Sequence, residues 1–201
     1  MKIAVYGATG MVGSQIVAEA LTRGHEVTAV SRSGAEVPGA ASAQAELTDV
    51  AAYRELAQGH DVVMISVPTP RDGSDHGPIR AAHEEIAETL VPARVFVVGG
   101  AGALELPGGG QLRETEGFPP EYKSEADSFA EILSYYEDSS GVNWTMLAPA
   151  PVIAPGERTG EYKVGVNNPV GDSISTQDFA VAVLDELEEP KNENRRFTVA
   201  N

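Results

Sequence analysis

Gly7, Gly10 and Gly13 stand three residues apart in the stretch Gly7-Ala8-Thr9-Gly10-Met11-Val12-Gly13. An apolar run, residues 3–6, precedes them, and Val12, Ile16, Val17, Ala20 and Leu21 follow at helical spacing. In a strand–turn–helix context each glycine has a separate task. Gly7 permits the tight turn, Gly10 lets the backbone approach a ligand, and Gly13 lets the helix lie close to the sheet. The helix amino terminus, including the Met11 and Val12 amides, then faces the ligand with unpaired N–H groups, and Thr9 adds a hydroxyl donor. A pair of phosphates suits such a cradle, so the loop is expected to hold a dinucleotide pyrophosphate.

The end of the second strand decides which dinucleotide. An acidic residue there accepts from a free ribose 2′-hydroxyl, whereas this chain has Ser31-Arg32-Ser33. Arg32 can pair with a 2′-phosphate through its planar fork, with both serines as further donors, so NADP(H) is expected over NAD(H). Asp49 falls after the third strand, where it either meets the adenine or caps a helix. Ser66, Val67 and Pro68, with Gly99 and Gly100, fall at the carboxyl ends of strands four and five and are expected to line the ribose and nicotinamide. Pro149, Ala150 and Pro151 are placed to close over the nicotinamide.

Candidates for acid–base chemistry are few. Carbonyl reduction wants a Tyr with a Lys four residues on, because the lysine lowers the tyrosine pKa. No tyrosine here has that partner, and Tyr122 has Ala126 at the offset. Tyr122 remains a candidate wall or hydrogen-bond donor. His76, in the loop after strand four, either touches substrate or is solvated. His25 and His60 flank strands and read as structural, and His83 shares a helix side with Ile79, Ala82, Ile86 and Leu90, as a packed histidine would. The histidines show no metal spacing. Arg158 either meets an anionic substrate or forms a surface ion pair. Trp144 falls within a strand and reads as core.

These residues need a scaffold, and the apolar periodicity supplies one. Strands are expected at 3–6, 25–30, 43–47, 61–67, 94–98, 142–147 and 196–199, with β character at 162–166. Helices are expected from 12 to Gly24, from Asp49 to Gly59, over 79–90, over 122–138, and from a Ser175 or Thr176 cap onward. Strand–helix alternation predicts a single α/β domain, Rossmann-like, with a doubly wound, mostly parallel sheet. The substrate site must then come from loops 67–78, 99–120 and 149–160, since 201 residues leave no length for a second domain.

Composition narrows the partners. With 30 acidic against 14 basic residues, the net charge of −16 repels nucleic acid and anionic membrane. A small anionic ligand needs only a local cation. The absence of cysteine excludes disulfides and thiolate chemistry. The amino-terminal apolar run is too short for a signal peptide, so a cytoplasmic protein is expected, as monomer or homodimer.

Several stretches together resemble the atypical relatives of short-chain dehydrogenases known as NAD(P)H-binding or NmrA-like proteins, above all the NADH-flavin reductase group. They are residues 2–5 with the glycine loop, Gly59-His60-Asp61, Val97 to Gly102, Trp144 to Pro149, Pro155 to Gly160, Ile174 to Ala180 and Arg195 to Val199. The resemblance implies a Rossmann-like fold and a nucleotide cofactor. Members usually place a serine or similar polar residue after Gly-Gly-Ala-Gly, and this chain has Ala103 there. The expected function is an NADPH-dependent reductase of a small acceptor, with FMN, FAD or a quinone as substrate. Flavin reduction tolerates the missing Tyr/Lys pair because its product anion is delocalised and solvent can supply the proton. The alternatives are a non-catalytic redox sensor whose loops contact a partner protein, and an epimerase or isomerase, which the missing pair disfavours.

Overall fold

The computed structural model describes residues 1–201. The apolar run at the amino end forms β1 (Lys2–Tyr6), and its alternation sends Ile3 and Val5 to one face of the sheet and Ala4 and Tyr6 to the other. Both faces must therefore be covered. On one lie α1 (Gly13–Thr22) and α5 (Thr176–Glu188). On the other lie α2 (Val50–Gly59), α3 (Gly77–Glu88) and α4 (Lys123–Glu137). The remaining strands of the sheet are β2 (Glu26–Ser31), β3 (Ala41–Gln44), β4 (Val62–Ile65), β5 (Arg94–Val98), β6 (Trp144–Ala148), β8 (Lys163–Gly165) and β10 (Arg195–Ala200). They run in the order β3-β2-β1-β4-β5-β6-β10-β8, parallel throughout except for β8, which is antiparallel to β10. The order reverses between β1 and β4, and ligands of doubly wound sheets bind at the carboxyl ends beside that reversal.

Local chemistry explains most boundaries. Asp49 Oδ1 accepts from the Ala52 amide at 3.1 Å and starts α2. Ser175 Oγ accepts from the Asp178 amide at 2.9 Å and starts α5. His60 is structural, with Nδ1 against the Leu56 carbonyl at 2.7 Å and Nε2 against Thr28 Oγ1 at 2.8 Å. His83 is fully buried, its Nδ1 is 2.9 Å from Tyr136 Oη, and burial pushes its pKa down to about 3, so it packs as a neutral ring. Trp144 is core.

The structure corrects the predicted strands in two places. β3 covers Ala41–Gln44 rather than 43–47, because this half-exposed edge strand takes its register from backbone pairing with β2; Leu47 is buried beyond its end. The proline-rich segment after β6 contains β7 (Val152–Ala154), which pairs in parallel with β9 (Ser173–Ser175) as a separate two-stranded sheet. No helix is long and apolar enough to cross a membrane.

One buried ion pair ties the sheet to α5. Arg94 Nη2 donates to Glu186 Oε1 at 2.6 Å, with the two side chains 8 % and 3 % exposed. Burial alone would raise the Glu186 pKa. The Arg94 guanidinium and the donors from Asn192 and Lys191 overcome it and hold the carboxyl below the usual range. Removing one partner strands the other's charge, so Glu186→Ala is expected to cost about 3–5 kcal/mol in urea unfolding. A folded pKa below the unfolded one gives stability that is present above the ordinary glutamate range and lost as pH falls through the folded value. Glu186→Gln should therefore flatten the acid limb of the stability–pH curve relative to wild type.

Candidate functional site

The glycine loop is built from two very close backbone approaches. Gly7 has φ +76°, and a Cβ there would lie 2.2 Å from the Ser66 carbonyl oxygen at the exit of β4. A Cβ on Gly13 would lie 2.2 Å from the Gly7 carbonyl oxygen. The protein's own packing therefore demands glycine at both positions. Gly10 differs: a Cβ there meets only the Gly7 carbonyl oxygen, at 3.2 Å, and the residue is exposed. A methyl at Gly10 would press on that one carbonyl and otherwise face the space outside the chain.

The amides of the loop divide in the same way. Gly7 and Ala8 donate to the Val30 carbonyl, Gly10 to Gly7 and Ser14 to Gly10. The amides of Thr9, Met11, Val12 and Gly13 have no acceptor within the protein. Unlike α2, capped by Asp49, and α5, capped by Ser175 with Asp178 in its first turn, α1 has neither a capping side chain nor an acid in its first turn, so the positive end of its dipole is uncompensated. Convergent free amides at a helix amino terminus, beside the strand-order reversal, fit a dinucleotide pyrophosphate.

Around this cradle the other expected residues fall as follows. Ser31 is buried and its Oγ accepts from the Ala35 amide at 3.0 Å, so it shapes the turn after β2. Arg32 and Ser33 are exposed, and Gln44 Nε2 donates to the Arg32 carbonyl at 3.0 Å, which fixes the backbone and leaves the guanidinium free. Asp49 is a helix cap. Ser66 is buried, its amide donating to the Tyr6 carbonyl at 3.0 Å, with Val67 half-buried and Pro68 exposed beyond it. Gly99 is explained by internal packing, since a Cβ there would lie 2.8 Å from Met146 Cγ, whereas one on Gly100 would make only an ordinary contact, 3.4 Å from Phe129 Cβ. Pro149 and Ala150 are buried and Pro151 is exposed at the exit of β6. The exits of β1, β4, β5 and β6 thus stand side by side above one edge of the sheet.

Two candidate residues sit where the loops meet α4. His76 is not a solvated loop histidine: it is 9 % exposed, with Nε2 2.8 Å from the Pro70 carbonyl and Nδ1 2.8 Å from Ser128 Oγ. Both nitrogens are engaged inside the protein, so His76 fastens the loop after β4 to α4 and has none left to offer a substrate. Tyr122 stands 46 % exposed at the start of α4, with the Arg71 guanidinium over its ring at 5.7 Å.

The segment after β6 is held by residues that the spacing did not reveal. Asp178 is fully buried and accepts from the Thr159 and Gly160 amides, each at 2.8 Å, and from Thr159 Oγ1 and Asn201 Nδ2. Burial works to raise its pKa, and these donors lower it further than burial raises it. Glu19, also buried, accepts two hydrogen bonds from Arg158, each at 2.8 Å, and one from Arg23. Arg158 is thereby ion-paired to a buried carboxylate of α1 through one edge of its guanidinium. Gly156 donates to Gln177 Oε1 at 2.9 Å, so the stretches 155–160 and 174–180, far apart in sequence, are one interlocked unit.

Comparison with known proteins agrees with this geometry. Residues 7–190 match the NAD(P)H-binding family, and the chain belongs to it. It is 37 % identical to YwnB of Bacillus subtilis, over all of this chain and 99 % of that one. Among solved structures it is similar to SP1627 of Streptococcus pneumoniae, a candidate NADH-flavin reductase, with 30 % identity, a TM-score of 0.90, and coverage of 100 % and 99 %. A candidate exported protein of Burkholderia pseudomallei gives 36 % identity and a TM-score of 0.87, with both chains fully covered. The cofactor is therefore a nicotinamide nucleotide.

The two kinds of glycine should separate on mutation. Gly13→Ala is expected to lose most of its thermal stability, since its methyl collides with backbone that cannot move. Gly10→Ala should melt close to wild type yet bind NADPH at least about tenfold more weakly, measured by nucleotide fluorescence titration.

Proposed function

We infer that the protein is an NADPH-dependent reductase that passes hydride to a flavin, a quinone or a similar small acceptor. The observation that carries this reading is the set of free amides of Thr9, Met11, Val12 and Gly13 at an uncapped helix terminus. Arg32 supports NADPH over NADH: its guanidinium is exposed and unpaired at the exit of β2, where Ser31-Arg32-Ser33 places no acid. The likeness to SP1627 supports a flavin as acceptor.

Bound in this cradle, the nicotinamide would supply hydride at the exits of β4, β5 and β6. The chain's own part is to position and enclose. Ser66, Val67 and Pro68 bring the backbone of β4 up to the loop, Pro149, Ala150 and Pro151 bring that of β6, and exposed Met11, Tyr122 and Val152 give the rim apolar walls. No tyrosine carries a lysine at the fourth residue on, and His76 is committed elsewhere, so of the two acid–base candidates only Tyr122 is left to donate. Such a site suits acceptors that need proximity and stacking more than a strong acid.

A redox sensor would need loops that answer to the cofactor. Here the loop after β4 is fastened by His76, and the segment after β6 by Asp178 and Glu19. That anchoring favours a preorganised enzyme. The test is NADPH oxidation at the nicotinamide absorbance band with FMN, riboflavin and soluble quinones. Turnover above the uncatalysed rate is expected, and its absence with every acceptor would remove the reductase. Arg32→Asp should weaken NADPH by about 10–100-fold, the size of a lost charge-assisted pairing. NADH should change far less, and equal losses for both nucleotides would rule out the 2′-phosphate contact.

A further inference from the structure

Arg71 belongs to the loop that leaves β4, and Tyr122 and Glu125 to the start of α4, which ends the long segment leaving β5. β4 and β5 are neighbours in the sheet and β4 borders β1, so this trio stands over the same carboxyl edge as the glycine loop. Arg71 Nε donates to Glu125 Oε2 at 2.8 Å and Nη2 to Oε1 at 3.1 Å. The Glu125 side chain is only 16 % exposed, whereas that of Arg71 is 62 % exposed. The guanidinium is thus anchored along one edge to a half-covered carboxylate and laid over the Tyr122 ring. Its Nη1 group and the outer hydrogen of Nη2 remain without a partner in the chain.

This arrangement differs from a loose surface ion pair in two respects. The anchor fixes the plane of the fork, so a ligand need not restrain a long flexible side chain. The Tyr122 ring beneath it, 46 % exposed, gives a flat apolar surface next to a cation. In a chain of net charge −16, an anionic acceptor approaches against a repulsive field and needs such a local cation. Of the other arginines in the surrounding loops, Arg113 is divided between Gln111 and Asp127, and Arg158 is paired with Glu19 in the same two-bond fashion but has no aromatic ring beneath its fork.

We propose that Arg71, held by Glu125 over Tyr122, is a specificity-determining residue that selects planar conjugated acceptors bearing an anionic tail. The ring system lies along the Tyr122 edge and the tail takes the free donors of the guanidinium. This rests on the reductase reading for its place in the reaction, but the binding it describes is measurable without turnover.

FMN and riboflavin share the isoalloxazine and differ in the terminal phosphate, which makes them the natural pair of probes. Flavin fluorescence quenching in the presence of NADP⁺ gives a Kd for each, and NADPH oxidation gives a KM. Wild type should bind FMN about tenfold more tightly than riboflavin, the size of one charge-assisted contact. Arg71→Gln should abolish that ratio, and Arg71→Lys should keep part of it, since charge survives and the fork does not. Melting curves of both variants separate misfolding from loss of contact. A naphthoquinone carboxylate beside its uncharged parent distinguishes a general anion preference from one for phosphate. Turnover with an FMN-to-riboflavin ratio that Arg71→Gln leaves unaltered overturns the proposal and leaves the reductase standing. Absence of turnover with every acceptor, while FMN still binds better through Arg71, removes the reductase and leaves the anion site. Failure of FMN to bind at all overturns the proposal.

Discussion

The site depends on a steric coincidence of main chains. The carbonyl of Ser66 fills the space where Gly7 would carry a side chain, and the carbonyl of Gly7 fills that space for Gly13. These two contacts draw the exit of β4 against the exit of β1 and seat α1 directly above the turn. Once seated, the first turn of α1 cannot satisfy its own amides, and no side chain caps it. The unsatisfied donors follow from the packing, and what they require is an anion.

A second level of organisation holds the rim. Buried carboxylates do much of this work: Asp178 gathers 159–160 and Asn201, and Glu19 gathers Arg158 and Arg23, while at the opposite, amino edge of the sheet Glu186 gathers Arg94 and 191–192. In an acidic protein these are the acids that matter for structure, because their neighbours, and not solvent, decide their charge. Their common effect is to make loops behave as parts of the body, which is what a site built from loops on a single domain needs.

How much of this could be read in the chain depended on whether the cause was local. The glycine loop, the continuously apolar strands and the Asp49 and Ser175 caps are local, and they were legible as spacing. His83 was legible because its helical neighbours are apolar. β3 was misplaced because Ala41–Gln44 has no apolar pattern and takes its register from β2. β7 and β9 have three residues each and exist only through each other. His76 looked like a solvated loop residue, since nothing in its neighbourhood announces Ser128, 52 positions on. Arg71 and Glu125 are separated by 54 positions, and no periodicity links them. Asp178 and Arg158 did lie in stretches the family resemblance singled out, so resemblance marked the residues while only the fold gave the reason.

The packing of α1 against α5 also bears on how the chain reaches this state. α1 buries Ile16, Val17 and Ala20 in a core shared with Phe179, Val183 and Leu187, and Arg23 reaches Asp185 across 162 positions. Loop closure over that span must be met before those contacts return anything. An early collapsed species made of β1, α1 and β2 would therefore leave the apolar flank of α1 open to water. Folding is expected to be limited by the late arrival of the carboxyl-terminal helix, and the exposed flank is where a nascent or stalled chain would attract a chaperone or a neighbouring molecule.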